Sequence, residues 1–226
     1  MAETNSLRTE QVQGVLHRLY AAARADRWRI LALAPRLMIG RLIGKSFNEI
    51  LTPSILKKLY IPVSPEQGQL LYLTARAITA RRIVEFGTSF GISTIYLATA
   101  VQDNGGGVVI GTEIEPSKHQ QAIANLQEAG LEEVVEIRLG DALETLRDVP
   151  EPVDMALMDG VKELYLPVLE LIKPRLRRGS VIMADNIFSF KKPLRPYVHY
   201  VQSGRNGFQS TTLKIGDGLE YSVYTG

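Results

Sequence analysis

The chain has no cysteine. That excludes disulfides, thiolate catalysis and cysteine-bound zinc, and it leaves nothing that points to secretion. Net charge is also scarce: 26 Lys and Arg against 24 Asp and Glu give +2, too little to predict nucleic-acid binding. No apolar run of about 18 residues occurs, so no transmembrane segment is expected. The polar N-terminus, MAETNSLRTE, has no signal-peptide core, and the expected location is cytoplasmic. His17, His119 and His199 are scattered and read as surface or packing residues rather than ligands. What remains is a chain of 226 residues, 45% hydrophobic, which suits one α/β domain with an extension.

The stretch RIVEFGTSFGIST, residues 82–94, organises that domain. An apolar run ends on Gly87, a loop carries Thr88, Ser89 and Gly91, and a helix-like run starts at about Ser93. Strand, glycine turn and helix are the first half of a nucleotide-binding α/β unit. Its pattern, G-x-x-x-G, is neither the dinucleotide G-x-G-x-x-G nor a phosphate loop, since no lysine follows. An ordinary strand–helix turn is the plain alternative.

Upstream, residues 9–60 read as helical, with dense Leu and Ile interleaved by arginines and a break expected at Pro35. This gives an N-terminal helical extension over 1–60, a lid or dimer element, and a main domain over 61–226. Ser64-Pro65-Glu66 reads as a helix start. From 83 onward β and α segments alternate five times. Two closing runs, Thr211–Ile215 and Leu219–Tyr224, are joined by Gly216-Asp217-Gly218, a hairpin signal. The pattern predicts a mostly parallel sheet with helices on both faces, binding its ligand beyond the carboxyl ends of the strands.

Each of the five strands ends at an acid: Glu85, Glu113, Asp141, Asp159 and Asp185. Glu113 is placed to accept both hydroxyls of a ribose, and Asp141 to accept from an adenine amine. With no cation in the 87–93 loop, this suits an adenosyl ligand without phosphates. Asp159, Asp185 and Asn186 are hard oxygen donors from adjacent strand ends, which suits Mg²⁺. A helix cap for Asp159 and a turn for Asp185-Asn186 stand as alternatives. Lys162 follows Asp159 by three residues and is a candidate general base, or else an exposed lysine.

Taken together, SPEQGQLL (64–71), VEFGTSFGIST (84–94), GTEIEP (111–116), LGDA (139–142), MDGVKELY (158–165) and MADN (183–186) resemble the class I S-adenosylmethionine-dependent O-methyltransferases. More narrowly, they are similar to the metal-dependent catechol and caffeoyl-CoA type. The resemblance covers about residues 61–226. It implies a Rossmann-like α/β fold with a mostly parallel seven-stranded sheet and a C-terminal antiparallel hairpin. It also implies S-adenosylmethionine as cofactor, bound by Val63, Glu85, Gly87, Ser89, Ser93, Glu113, Ile114, Asp141, Ala142 and Asp159. Asp159, Asp185 and Asn186 would hold Mg²⁺, and Lys162, beside Asp159, would take the proton from a small hydroxylated, vicinal-diol aromatic. Two departures mark this chain: Gly160-Val161 stands where animal catechol enzymes carry an aromatic pair, and Thr211 takes the place of their hairpin glutamate. Other readings are a methyltransferase of the same fold for a sugar, amine or natural-product hydroxyl with the metal optional, and a non-catalytic adenosyl-binding scaffold. A homodimer through the N-terminal helices and no nucleic-acid partner are expected.

Overall fold

The structure, a computed structural model, describes residues 5–32 and 62–226. The break expected at Pro35 lies outside the described residues. Seven strands form one sheet: β1 (Arg82–Phe86), β2 (Val108–Glu113), β3 (Val135–Leu139), β4 (Val153–Met158), β5 (Leu176–Ala184), β6 (Phe208–Leu213) and β7 (Leu219–Tyr224). Their order is β3-β2-β1-β4-β5-β7-β6. The first five are parallel; β7 runs antiparallel between β5 and β6.

The apolar runs become central strands because both faces of the sheet are covered. Successive side chains point to opposite faces, and the core divides accordingly. Ile83, Val109, Met155, Leu157 and Met183 face α1 (Glu10–Ala32), α2 (Pro65–Ala77) and α3 (Ile92–Asp103). Val84, Phe86, Ala156, Met158 and Ile182 face the short α5 (Ala142–Thr145), α6 (Tyr165–Ile172) and α7 (Lys191–Gln202). Between β2 and β3 runs α4 (Pro116–Glu128). Leu7, Val12, Val15, Leu16 and Leu19 are buried in the first of these layers, so the described part of the N-terminal extension is packed into the main core. No helix among the described residues is long and apolar enough to cross a membrane.

Local chemistry sets the ends. Ser64 caps α2 in a reciprocal capping box with Gln67, with Pro65 in the first turn. Gly130 closes α4 at φ +68°. The helical stretch between β4 and β5 is three pieces: a 3₁₀ turn at Lys162–Leu164, α6, and a second 3₁₀ turn at Lys173–Arg175 containing Pro174. Strand β5 starts at Leu176, earlier than the Val181 its apolar run suggests, because Leu176 pairs with Val153 across an irregularity in register.

Candidate active site

Order reverses around β1 and β4, whose carboxyl ends lie side by side with Phe86 opposite Met158. That is where an open α/β sheet places its ligand. The Asp159 N–H donates to the Phe86 carbonyl at 2.8 Å, so the two strand-end loops touch. Gly87 sits at φ +97°, and a Cβ there would lie 2.7 Å from the Asp159 carbonyl oxygen. Only glycine fits both the conformation and the space. The helix α3 then starts at Ile92, after Gly91 at φ +84°.

A cleft opens over this turn, lined by Pro62, Val63, Gly87, Thr88, Ser89, Phe90, Ile92, Ser93 and Asp159. Val63, Gly87, Ser89, Ser93 and Asp159, all expected at a cofactor site, are therefore brought together. Glu85 lies beneath rather than on the wall. It is fully buried, and its carboxylate accepts from Thr88 at 3.0 Å, Ser93 at 2.6 Å and also Thr94. Burial nevertheless pushes its pKa above the usual carboxylate range.

Glu113 turns back over the loop. It accepts from the Ser89 and Glu115 N–H groups, both at 2.8 Å, which helps hold Ser89 at φ +51°, a conformation few non-glycine residues adopt. Ile114 beside it is exposed. Asp141 caps α5, accepting from the Leu143 N–H at 2.9 Å, with Ala142 buried next to it. The loop carrying Asp141 is tied to β2, the Gly140 N–H donating to the Glu113 carbonyl at 2.9 Å. Glu113 and Asp141 thus stand on neighbouring loops at one rim.

On the other side of Gly87, six side chains converge: Gln67, Asp159, Lys162, Tyr165, Asp185 and Asn186. Lys162 Nζ donates to Asn186 Oδ1 at 2.6 Å and Tyr165 Oη at 2.8 Å, and lies 3.3 Å from Asp159 Oδ1. It also sits over the Tyr165 and Phe190 rings. Asp185 accepts from Gln67 Nε2 at 2.6 Å and Asn186 Nδ2 at 3.3 Å. Asn186 turns the chain at φ +67°. The Asp159 carboxyl is pushed up to about 7 by burial, with Lys162 opposing and Asp185 adding. Burial raises Asp185 as well. Two acids, Asp185 buried and Asp159 partly buried, thus lie in the field of one ammonium, an arrangement short of positive charge.

Two members of this cluster carry no signal of their role in the sequence. Gln67 serves its own helix through Oε1, which accepts from the Ser64 N–H at 2.8 Å, and Asp185 through Nε2; its sequence reads only as a cap. Tyr165, fully buried, receives Lys162 and donates to the Asp185 carbonyl at 3.2 Å. Its place three residues after Lys162, one helical turn on, is the clue available. Thr211, by contrast, is exposed on β6 opposite Tyr221.

Comparison with known proteins relates the chain to methyltransferases. A family model described as a methyltransferase domain matches residues 84–187. The chain is 40% identical over 128 residues to a catechol O-methyltransferase of Mycobacterium tuberculosis, covering 56% of this chain and 57% of that one. It spans less than two thirds of the length of the curated catechol O-methyltransferases it matches at 37% and 40% identity. In structure it is similar to an O-methyltransferase from Bacillus cereus solved in complex with SAH (S-adenosylhomocysteine), with a TM-score of 0.68 and 26% identity over 85% of this chain and 97% of that one. It is likewise similar to an O-methyltransferase from Streptomyces achromogenes involved in tomaymycin synthesis, solved in complex with SAM (S-adenosylmethionine), with a TM-score of 0.66 and 27% identity over 85% and 96% of the two chains.

Proposed function

We propose, for a chain that carries a methyltransferase domain and has the fold of the class I O-methyltransferases, that it transfers a methyl group from S-adenosylmethionine to a hydroxyl of a small vicinal-diol aromatic. The observation that carries this reading is the shared wall at Gly87. One face of the Asp159 loop borders the cleft, and its side chain faces Lys162 in the acid cluster. A donor in the cleft and an acceptor on the cluster would meet there.

S-adenosylmethionine, when bound, supplies a sulfonium methyl group. Val63, Gly87, Ser89 and Ser93 would line its methionine half, with Glu85 fixing the Ser93 hydroxyl from below. Glu113 and Ile114 would flank the ribose, and Asp141 and Ala142 the adenine. Asp159, Asp185 and Asn186 fit a divalent ion, by their oxygen donors and by the excess of buried negative charge; Mg²⁺ there would supply Lewis-acid polarisation of an acceptor oxygen. Lys162 takes the proton from the acceptor hydroxyl. Tyr165 and Asn186 hold its Nζ at the mouth of the cluster, which limits the positions the base must sample.

A second reading has its own support. Lys162 already bridges Asp159 and Asn186, so a metal-optional enzyme for a sugar, amine or natural-product hydroxyl follows if the ammonium serves as the cation of the site. The test is product analysis by mass spectrometry after incubation with S-adenosylmethionine, Mg²⁺ and a panel of catechols, monophenols, sugars and amines. Single methylation confined to the catechols is the expected result. Methylation of monophenols, sugars or amines at equal rates would overturn the diol assignment.

A further inference from the structure

Two hydrogen-bonded paths lead from α1 to residues that line the cleft. The first runs through Asn125, which is buried to 1% on α4. Its Nδ2 donates to the Phe90 carbonyl at 2.9 Å, and its Oδ1 accepts from Arg18 Nη2 at 3.0 Å. The amide orientation is fixed by chemistry, since a carbonyl only accepts and a guanidinium only donates. Arg18 is held in turn by Glu128, through a contact from Nη2 and a second from Nε at 3.3 Å. Phe90 lies between Ser89 at φ +51° and Gly91 at φ +84°. Such a loop keeps its shape only where its surroundings fix it.

The second path is shorter. The Tyr20 hydroxyl donates to the Val63 carbonyl at 3.1 Å and lies 3.4 Å from the Tyr96 hydroxyl. Val63 lines the same cleft as Phe90 and leads directly into the Ser64 cap of α2. One N-terminal helix therefore holds, directly or through Asn125, backbone carbonyls of two residues that line the same opening.

We infer that α1 is part of the cofactor-binding apparatus, and that Arg18, Asn125 and Tyr20 are positioning residues that set affinity for the adenosyl cofactor. The inference depends on the reading of the cleft as the cofactor seat. Preorganisation is the physical basis: a loop that must be ordered on binding spends part of the contact energy on that ordering.

Titration of SAH into the full-length protein by calorimetry separates the two claims. Absence of binding by the unmodified protein would overturn the cofactor reading and this inference with it. With binding established, Asn125→Leu is expected to weaken SAH about tenfold and Tyr20→Phe about threefold, on the scale of one or two lost hydrogen bonds. Arg18→Lys, which keeps a donor toward Asn125, should bind more tightly than Arg18→Ala. In turnover, the KM for S-adenosylmethionine should rise by more than kcat falls. Should Asn125→Leu fail to fold, Tyr20→Phe decides, because it keeps the ring and loses only the hydroxyl. Folded variants that bind SAH within twofold of the unmodified protein would overturn the inference, even where their melting temperatures fall.

Discussion

Glu85 and Asp159 are carboxylates at the ends of neighbouring strands, the first buried and the second partly buried, and they are built differently. Glu85 has three hydroxyl donors from its own loop and helix, so its surroundings satisfy it without a ligand. Asp159 has an ammonium at 3.3 Å and a second acid pressing on it. The first arrangement closes a fold; the second leaves charge and lone pairs open to something that arrives. A strand-end acid marks a reaction centre when its partners are incomplete.

Four substitutions test that contrast, in falling order of expected effect. Lys162→Met should lower kcat about a thousandfold, the range of a lost general base, with the circular dichroism spectrum unchanged; full kcat would remove the base. Glu85→Ala strands three buried hydroxyls and should cost about 3 kcal/mol of unfolding free energy in urea. Gly87→Ala meets the Asp159 carbonyl at 2.7 Å and a φ of +97°, and should cost about 2 kcal/mol. Asp159→Asn should have the opposite sign. The folded carboxyl titrates near 7 against 3.8, so the fold favours its neutral form. That advantage is complete below about pH 4 and is lost as pH rises through about 7. In chelator, Asp159→Asn should therefore match the unmodified protein at low pH. It should become more stable by about 1–2 kcal/mol near pH 8, less than the full shift because Asp159 is partly open to solvent. A constant difference across this range would show that the fold does not favour the neutral form of Asp159.

Most of the fold was legible because each of the five parallel strands carries an apolar run that stops at Gly or an acid, and because Gly216-Asp217-Gly218 announces the hairpin. The site was legible where function follows chain position: strand ends share one rim, so Gly87, Glu113, Asp159 and Asp185 could be grouped from order alone. What escaped was lateral. Gln67 and Asp185 are 118 residues apart, and no periodicity pairs them. Arg18, Asn125 and Phe90 meet only because α1 packs beside α4. Glu85, expected on the cofactor wall, lies a layer beneath it; a strand-end acid looks the same in sequence whether it faces a ligand or three hydroxyls.

The most direct measurement is the initial rate of methyl transfer from S-adenosylmethionine to a catechol, taken in Mg²⁺ and again after chelation. Asp159, Asp185 and Asn186 as an incomplete site predict a loss of at least about a hundredfold in chelator, recovered on adding Mg²⁺ back. An undiminished rate in chelator would contradict the account and leave Lys162 as the sole cation of the site.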